Sequence, residues 1–285
     1  MKGLWRRIQC SPAWIRWPVK WAVLGAVVFL VLYPDPRLLV RTIRHERMID
    51  RLSDPLCPSL APVLTEFEGF LAGKGAAQTS PEGLLTEVES FVLQRVPYAF
   101  DWEVWGVVDY LPTLPELLAE GREDCDGRAV LAAAILRARG IDAHVVGDPR
   151  HLWVVTPHGE LMGPLGEPAF AATAGGMQIH WIRMLDPGPL AFGIAIFPVY
   201  RELIILGCAW LLLLWPGCTR VQAGLILLLL VEALILLRLA GADPRAPSYG
   251  GIFWAGLHVF AAVVAAFWLA KLSTRPDRSV CSCKV

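Results

Sequence analysis

The chain has 285 residues, of which 55% are hydrophobic and only 18% are charged. Soluble domains contain about a quarter charged residues, so this composition favours a membrane protein. The formal net charge is zero, so the chain as a whole offers no electrostatic attraction for nucleic acid, and no nucleic-acid partner is expected. The seven cysteines are scattered without CxxC spacing, which indicates neither a zinc site nor a disulfide framework; no metal or cofactor is expected.

The first apolar run extends from Trp21 to Tyr33 and follows a basic N-terminal segment at residues 1–20. A basic segment before a short apolar core is the pattern of a signal peptide. However, no small-x-small cleavage site follows the run, only the sequence PDPRLLV. The pattern therefore predicts an uncleaved transmembrane anchor at residues 21–40.

The polar stretch at residues 41–186 predicts a folded domain, and three apolar runs follow it at 187–272, before a C-terminal tail at 273–285. Each run is long enough for the roughly 20 helical residues that cross a bilayer. Pro198, Arg201 and Glu202 interrupt the first of the three runs, which is expected to cross only from about Leu203. Together with the anchor, the runs predict about four transmembrane helices in an integral membrane protein.

The distribution of basic residues predicts the orientation in the bilayer. The C-terminal end carries Lys271, Arg275, Arg278 and Lys284, whereas the loop at 242–250 contains one arginine. Because lysine and arginine are enriched on the cytoplasmic side, both termini are expected inside and the central domain outside, as in a bacterial inner membrane. The arginines that follow the first span, between residues 37 and 51, oppose this orientation.

The segment around Cys125 contains the candidate chemistry. The sequence DGRAVLAAAILRARG predicts a helix that begins near Cys125 and stops at Gly140. A thiol in the first turn of a helix lies at the positive end of its dipole, which lowers the thiol pKa. Two strands are predicted next, IDAHVVG and HLWVVTP, and the second begins at His151. An imidazole near Cys125 could accept the thiol proton, although the spacing also fits a buried cysteine and an ordinary histidine.

This segment, at roughly residues 85 to 165, resembles the core of the transglutaminase-like cysteine enzymes, which include papain-related bacterial peptidases and amidases. The matching features are the Asp124–Cys125 turn, the sequence LRARGIDAHVVG, then His151, Trp153 and Val154, and upstream Tyr98, Asp101, Trp105 and Gly106. The resemblance implies an α+β transglutaminase-like domain in which the cysteine helix packs on a small antiparallel sheet. It further implies that Cys125 is the nucleophile and His151 the general base, with Trp105 and Trp153 as candidate walls of the substrate cleft.

The third catalytic position departs from the family pattern. The family has an aspartate on the strand after the histidine strand, which orients the imidazole, but Gly163 aligns with that position here. Glu160, Glu167 and Asp186 are the candidate replacements, and Asp186 has the family's local sequence in LDPG. A backbone carbonyl or amide could also orient the ring.

Ionisable residues within the apolar runs are the remaining candidates. Glu232 lies centrally in one run and His258 near the start of the next, so the two could meet across an antiparallel helix pair. They are read either as a site or as polar groups that fix helix packing. Arg201 and Glu202 are expected to reach the bilayer interface.

Two functions fit these observations. The first is a membrane-anchored transglutaminase-like cysteine hydrolase or acyltransferase that acts on a peptide or protein substrate near the membrane surface. The second is a catalytically inactive relative that serves as a binding or assembly component with other membrane subunits. The Gly163 departure favours the second function, and the Cys125–His151 pattern favours the first.

Overall fold

The computed structural model describes residues 8, 11–75, 80–148, 151–163, 169–173, 176–180, 185–215, 218–243 and 246–272. The chain divides into two compact units. One unit is Tyr33–Asp186, and the other joins Met1–Leu32 to Pro187–Val285.

The unit Tyr33–Asp186 combines helices with one small sheet. Its helices are α2 (Pro36–Glu46), α3 (Ile49–Leu52), α4 (Leu60–Gly73), α5 (Pro81–Arg95), α6 (Asp101–Val104), α7 (Leu114–Glu120) and α8 (Cys125–Ala138). Its strands are β1 (His144–Asp148), β2 (His151–Thr156), β3 (Gly159–Leu161), β4 (Phe170–Thr173) and β5 (Gly176–Ile179). The α+β class, the cysteine helix and the strand that begins at His151 are therefore confirmed, whereas the transglutaminase-like fold remains a prediction.

The sheet is antiparallel, with the strand order β3-β2-β1-β4-β5. Asp148 pairs with His151 at one end of the β1–β2 ladder, and Val154 of β2 pairs with Leu161 of β3. The short β2–β3 connection turns at Pro157 and His158, so the residues after Leu161 return along β2 towards His151. This topology brings residues 162 and 163 beside the start of β2.

Helix α8 begins at Cys125 because Asp124 caps it, with the Asp124 carboxylate accepting a hydrogen bond of 3.0 Å from the Asp126 amide. The run from Ala129 to Leu136 is fully buried, and α8 packs against both β1 and β2. Small alanine side chains allow this close approach. The helix ends before Gly140, whose φ of 78° is the left-handed conformation that glycine adopts without strain.

The core of this unit lies between α8, the sheet and the helices α4 and α5. Phe67 of α4 and Val88 of α5 are fully buried, and they belong to one apolar cluster with Leu131, Ile135 and Val154. Burying one such side chain stabilises the fold by about 1.5–3 kcal/mol. This packing fixes α8 on the sheet and with it the position of Cys125.

The second unit contains the apolar helices α1 (Ala13–Leu32), α9 (Pro187–Ile196), α10 (Val199–Leu213), α11 (Arg220–Ala240) and α12 (Tyr249–Leu272). Among the described residues, three helices are long and apolar enough to cross a membrane, or up to four candidate spans if the bent pair α9–α10 is one span. These candidate spans fit an integral membrane protein.

The N-terminal helix differs in its bounds from the predicted anchor at 21–40. Helix α1 occupies Ala13–Leu32, and a separate helix α2 begins at Pro36. The reason is local: the Asp35 carboxylate accepts a hydrogen bond from Arg37, and Pro36 occupies the first helical position, which starts a new helix. The residues after the break belong to the unit Tyr33–Asp186.

A bend of 112° separates α9 from α10, next to Pro198. Arg238 of α11 stabilises the bend, because its guanidinium donates hydrogen bonds to the carbonyls of Ile194 and Phe197 and contacts the Glu202 carboxylate at 2.7 Å. Glu202 is buried. Glu202 is thus paired inside the protein with a residue 36 positions further along the chain, a contact that sequence reasoning did not identify, and its depth relative to the bilayer interface stays a prediction.

Glu232 of α11 and His258 of α12 lie 3.3 Å apart. The prediction that these two residues could meet across a helix pair is confirmed. The Arg201 guanidinium, near the bend, lies over the Tyr200 ring. Polar contacts thus connect neighbouring helices of this unit.

Candidate active site

Cys125 lies where the start of α8 meets the start of β2. The thiol is half-buried and lies close to the backbone N–H of Leu152, the residue after His151, which lowers the thiol pKa. The thiol itself donates a hydrogen bond of 3.3 Å to Oδ1 of Asp126. The structure therefore brings Cys125 beside the first residues of the histidine strand, as the sequence predicts.

The imidazole of His151 is fixed by a backbone group. Its Nε2 lies 2.6 Å from the carbonyl oxygen of Met162. A carbonyl oxygen can only accept a hydrogen bond, so Nε2 carries the proton and the neutral ring keeps its lone pair on Nδ1. The basic atom of His151 is therefore Nδ1. Within the described part of the chain, no hydrogen bond joins this ring to Sγ of Cys125, whose own hydrogen bond goes to Asp126.

Met162 has an unusual backbone conformation, with a φ of 55°. This left-handed conformation costs a residue with a side chain about 1–2 kcal/mol. The Met162 amide donates a hydrogen bond of 3.2 Å to Oε1 of Glu89, which belongs to α5. Glu89 thus holds the peptide whose carbonyl orients His151, and it is a positioning residue that the sequence did not reveal.

The candidate acids do not occupy the position behind the ring. Neither Glu160 nor Asp186 forms a hydrogen bond with His151 among the described residues, because the Met162 carbonyl takes that place. Glu160 is exposed, and its Oε2 lies 2.8 Å from the point that a Cβ on Gly163 would occupy. Asp186 immediately precedes α9. Glu167 lies outside the described residues.

Acidic groups surround the start of α8. Glu123 has no exposed surface, and its carboxylate accepts hydrogen bonds from the indole N–H of Trp105, at 2.6 Å, and from the Asp124 amide. Asp101, at the start of α6, is only 3% exposed, and its Oδ2 accepts a hydrogen bond of 2.8 Å from the Tyr110 amide. Both carboxylates lie close to that of Asp124, which in turn lies close to the thiol.

This environment makes the thiol a weak acid. Burial raises the pKa of the Cys125 thiol well above its ordinary value, and the carboxylates of Asp126 and Asp124 raise it further. The nearby Leu152 amide lowers the thiol pKa but does not outweigh these causes. The expectation of a lowered pKa at a helix N-terminus is therefore wrong, because burial and two adjacent carboxylates exceed the effect of the helix dipole.

The carboxylates raise one another's pKa values. Burial and the Glu123 carboxylate raise the pKa of Asp124 well above its ordinary value, and burial and Asp124 do the same for Asp126. Burial, together with Asp124, also raises the pKa of Asp101. A positive charge on His151 lowers the pKa of Asp124, so the imidazole lies within electrostatic range of these carboxylates.

The two predicted cleft tryptophans have different environments. Trp105 is half-buried, with its ring 4.7 Å from that of Tyr110. Trp153 is only 1% exposed, and its ring lies nearly parallel to that of His151 at 6.2 Å. Trp153 therefore packs inside the domain and does not form an open cleft wall; its neighbours Leu152 and Val154 are buried as well, so both faces of β2 are covered at this point.

An aromatic ladder that the sequence analysis did not single out lies beside Cys125. The rings of Tyr98 and Phe100 are 5.3 Å apart, and those of Phe100 and Trp102 are 4.3 Å apart. Partial burial raises the pKa of Tyr98, and the charges of Asp124 and of a Cys125 thiolate raise it further, so the phenol lies within electrostatic range of the thiol. The alternation in YAFDW is the signal that could have revealed this surface.

Comparison of the chain with protein-family models, with curated proteins and with solved structures finds no match.

Proposed function

We propose that the protein is a membrane-anchored cysteine hydrolase or acyltransferase of the transglutaminase-like type, acting on peptide or amide bonds through Cys125 and His151. One observation carries the proposal. The Cys125 thiol lies close to the amide next to His151, that of Leu152, which lowers the thiol pKa, while the Nε2–H of His151 donates a hydrogen bond to the Met162 carbonyl. This arrangement leaves Nδ1 as the basic atom, and nucleophilic cysteine chemistry requires such a base near the thiol.

In the proposed reaction, Sγ of Cys125 attacks the carbonyl carbon of an amide. The thiol proton passes to Nδ1 of His151 and then to the nitrogen of the leaving amine. The carbon–nitrogen bond breaks, the amine departs and an acyl thioester remains on Cys125. Water, or a second amine, then attacks the thioester and regenerates the thiol.

The raised pKa of the thiol determines how this pair operates. A preformed thiolate is disfavoured, so His151 must remove the proton as the attack takes place. The role that an aspartate fulfils in the family falls to the Met162 carbonyl, which is neutral and stabilises an imidazolium less than a carboxylate does. We therefore expect a slow enzyme with an unreactive resting thiol.

The proposed substrate is a peptide or protein segment near the membrane surface. The aromatic ladder of Tyr98, Phe100 and Trp102 supports an apolar or aromatic side chain next to the scissile amide. The apolar helices of the second unit support anchorage in a bilayer. A bacterial inner membrane, with the domain on the extracytoplasmic side, belongs to the same proposal.

A second function is a non-catalytic binding or assembly component of a membrane complex. The observation that favours it is the hydrogen bond from the Cys125 thiol to Asp126, in a place where the pKa of the thiol is raised. A protonated, hydrogen-bonded cysteine of this kind is equally consistent with a packing role and with a catalytic role. The two functions predict different outcomes in one experiment.

The experiment incubates the full-length protein, in nanodiscs, with a library of membrane-associated peptide amides, and hydroxylamine is added to capture thioesters. The expected result is peptide hydroxamate from the wild-type protein, none from Cys125→Ser and a yield at least about 100-fold lower from His151→Ala. Cys57→Ser and His158→Ala are matched controls, because these residues lie in a loop and in a turn, and they should retain the wild-type yield. Equal yields from the wild-type protein and Cys125→Ser would refute catalysis and support the assembly role.

A further inference from the structure

Three buried or half-buried carboxylates near α8 are not used by the proposed reaction. Asp101, Glu123 and Asp124 each offer an oxygen, and the three oxygens lie within 4.8 Å of one another. Asp101 comes from the first turn of α6, whereas Glu123 and Asp124 immediately precede α8. Two separate segments of the chain thus contribute to one group of oxygens.

A second observation indicates that a ligand is needed there. Asp101 is only 3% exposed, and among the described residues no group donates a hydrogen bond to its fully enclosed Oδ1. A buried carboxylate oxygen without a partner is costly, and native structures rarely leave one. Within the described part of the chain, no lysine, arginine or histidine lies within ion-pair distance of these three carboxylates; Arg128 and His151 act on Asp124 only at longer range. The hydrogen bonds to the other oxygen of Asp101 and to Glu123 come from neutral donors.

We propose that Asp101, Glu123 and Asp124 bind a hard divalent cation of the calcium type. Two oxygens on opposite sides of a calcium ion, each about 2.4 Å from it, are separated by about 4.8 Å, so one ion can reach all three carboxylates. The oxygen-only ligand set selects against zinc and copper, which favour nitrogen and sulfur. The remaining coordination positions of the ion are filled by water or backbone oxygens.

The bound cation would connect α6 to the turn that precedes Cys125. Asp124 already caps α8 through its Oδ1, so a ligand on this carboxylate fixes the cap and the first turn of the cysteine helix. The site does not depend on the proposed function, because it exists equally in an enzyme and in an assembly subunit. A negative result in the hydroxylamine experiment therefore does not contradict the cation site. Likewise, absence of calcium binding does not contradict the proposed reaction.

Calorimetric titration of the full-length protein in zwitterionic nanodiscs with calcium chloride tests the proposal. The wild-type protein is expected to bind one calcium ion saturably, and Asp101→Asn to bind it at least tenfold more weakly. Asp54→Asn is the matched control, because Asp54 is an exposed carboxylate that caps a turn, and it should bind like the wild type. Absence of saturable binding to the wild-type protein, or equal affinity in Asp101→Asn, would overturn the proposal.

Thermal unfolding separates loss of a ligand from loss of the fold. In chelator, Asp101→Asn should melt at a higher temperature than the wild type, because a neutral amide replaces a buried charge that lacks a partner. Calcium should raise the melting temperature of the wild type but not that of Asp101→Asn. A wild-type melting temperature that calcium does not change would contradict the inference. Protons alone would then neutralise the three carboxylates.

Terbium luminescence locates the ion. The Trp105 indole donates to the Glu123 carboxylate at 2.6 Å, so light absorbed by this tryptophan should sensitise emission from a terbium ion bound to Glu123. The emission should disappear when calcium displaces terbium, and it should fall by at least half in Trp105→Phe. Undiminished emission from Trp105→Phe would place the ion elsewhere and refute this site.

Discussion

Replacement of Asp126 by asparagine tests why the Cys125 thiol is a weak acid. Oδ1 of Asp126 lies 3.3 Å from Sγ. At that distance the repulsion between a carboxylate and a thiolate is about 1.3 kcal/mol in bulk water and about 5 kcal/mol at an effective dielectric constant of about 20. Asp126→Asn removes this repulsion with almost no change in shape, and its amide N–H can donate to the thiolate. The thiolate fraction at a fixed pH below the thiol pKa should therefore rise at least about tenfold.

The assay is the pH dependence of iodoacetamide alkylation, followed at Cys125 by peptide mass spectrometry. Because the thiolate is the reacting form, the rate profile of Asp126→Asn should move to lower pH. Cys57 is the internal reference, and Asp142→Asn, which alters an exposed carboxylate paired with His144, is the control that should leave the profile unchanged. A profile that coincides with the wild type, or moves to higher pH, would refute the electrostatic explanation.

Three further changes test the fold and the charge distribution. The raised pKa of Asp101 means that the folded state binds more protons than the unfolded chain. The free energy of unfolding should therefore decrease as pH rises above the ordinary pKa of an aspartate. With a calcium chelator present, Asp101→Asn should flatten this pH dependence by about 1.4 kcal/mol per pH unit in urea titrations. Gly127→Ala should destabilise the protein by about 1–3 kcal/mol, measured by the same titrations, because a Cβ there would lie 2.8 Å from Cγ of Glu123. Arg238→Met should cost about 3–5 kcal/mol and lower the melting temperature in micelles, because it leaves the buried Glu202 carboxylate without its partner. An unchanged pH dependence in Asp101→Asn, an unchanged free energy of unfolding in Gly127→Ala, or an unchanged melting temperature in Arg238→Met would contradict the corresponding prediction.

Features that depend on local sequence were predicted correctly. The alanine-rich helix from Cys125, the two strands and the start of β2 at His151 follow from propensity, capping and turn residues that lie next to one another in the chain. Apolar run length likewise predicts the candidate membrane spans. The Glu232–His258 contact was anticipated because two intramembrane polar residues on neighbouring helices stabilise each other.

Features that depend on distant residues were not predictable in this way. The pKa of Cys125 is raised chiefly by burial, which depends on how the domain packs around the start of α8. The carboxylates of Asp126 and Asp124 raise it further; they are neighbours in the sequence, but the helix-dipole argument does not weigh them. The group that orients His151 is the carbonyl of Met162, and a backbone carbonyl has no sequence signature. The contribution of Glu89 requires knowledge of how α5 packs near β3. The sequence offered a backbone carbonyl as one alternative to the three acids, and the structure identifies that carbonyl as the one of Met162.

Covalent labelling of Cys125 by a peptidyl vinyl sulfone tests most directly whether Cys125 and His151 act as a pair. The probe binds as a peptide and then requires transfer of the thiol proton, so its rate reports the base as well as the sulfur. We predict that intact-mass spectrometry of the full-length protein will show labelling of Cys125 at least about 100-fold faster than in His151→Ala, with His158→Ala like the wild type. Equal labelling rates in the wild-type protein and His151→Ala would contradict the account.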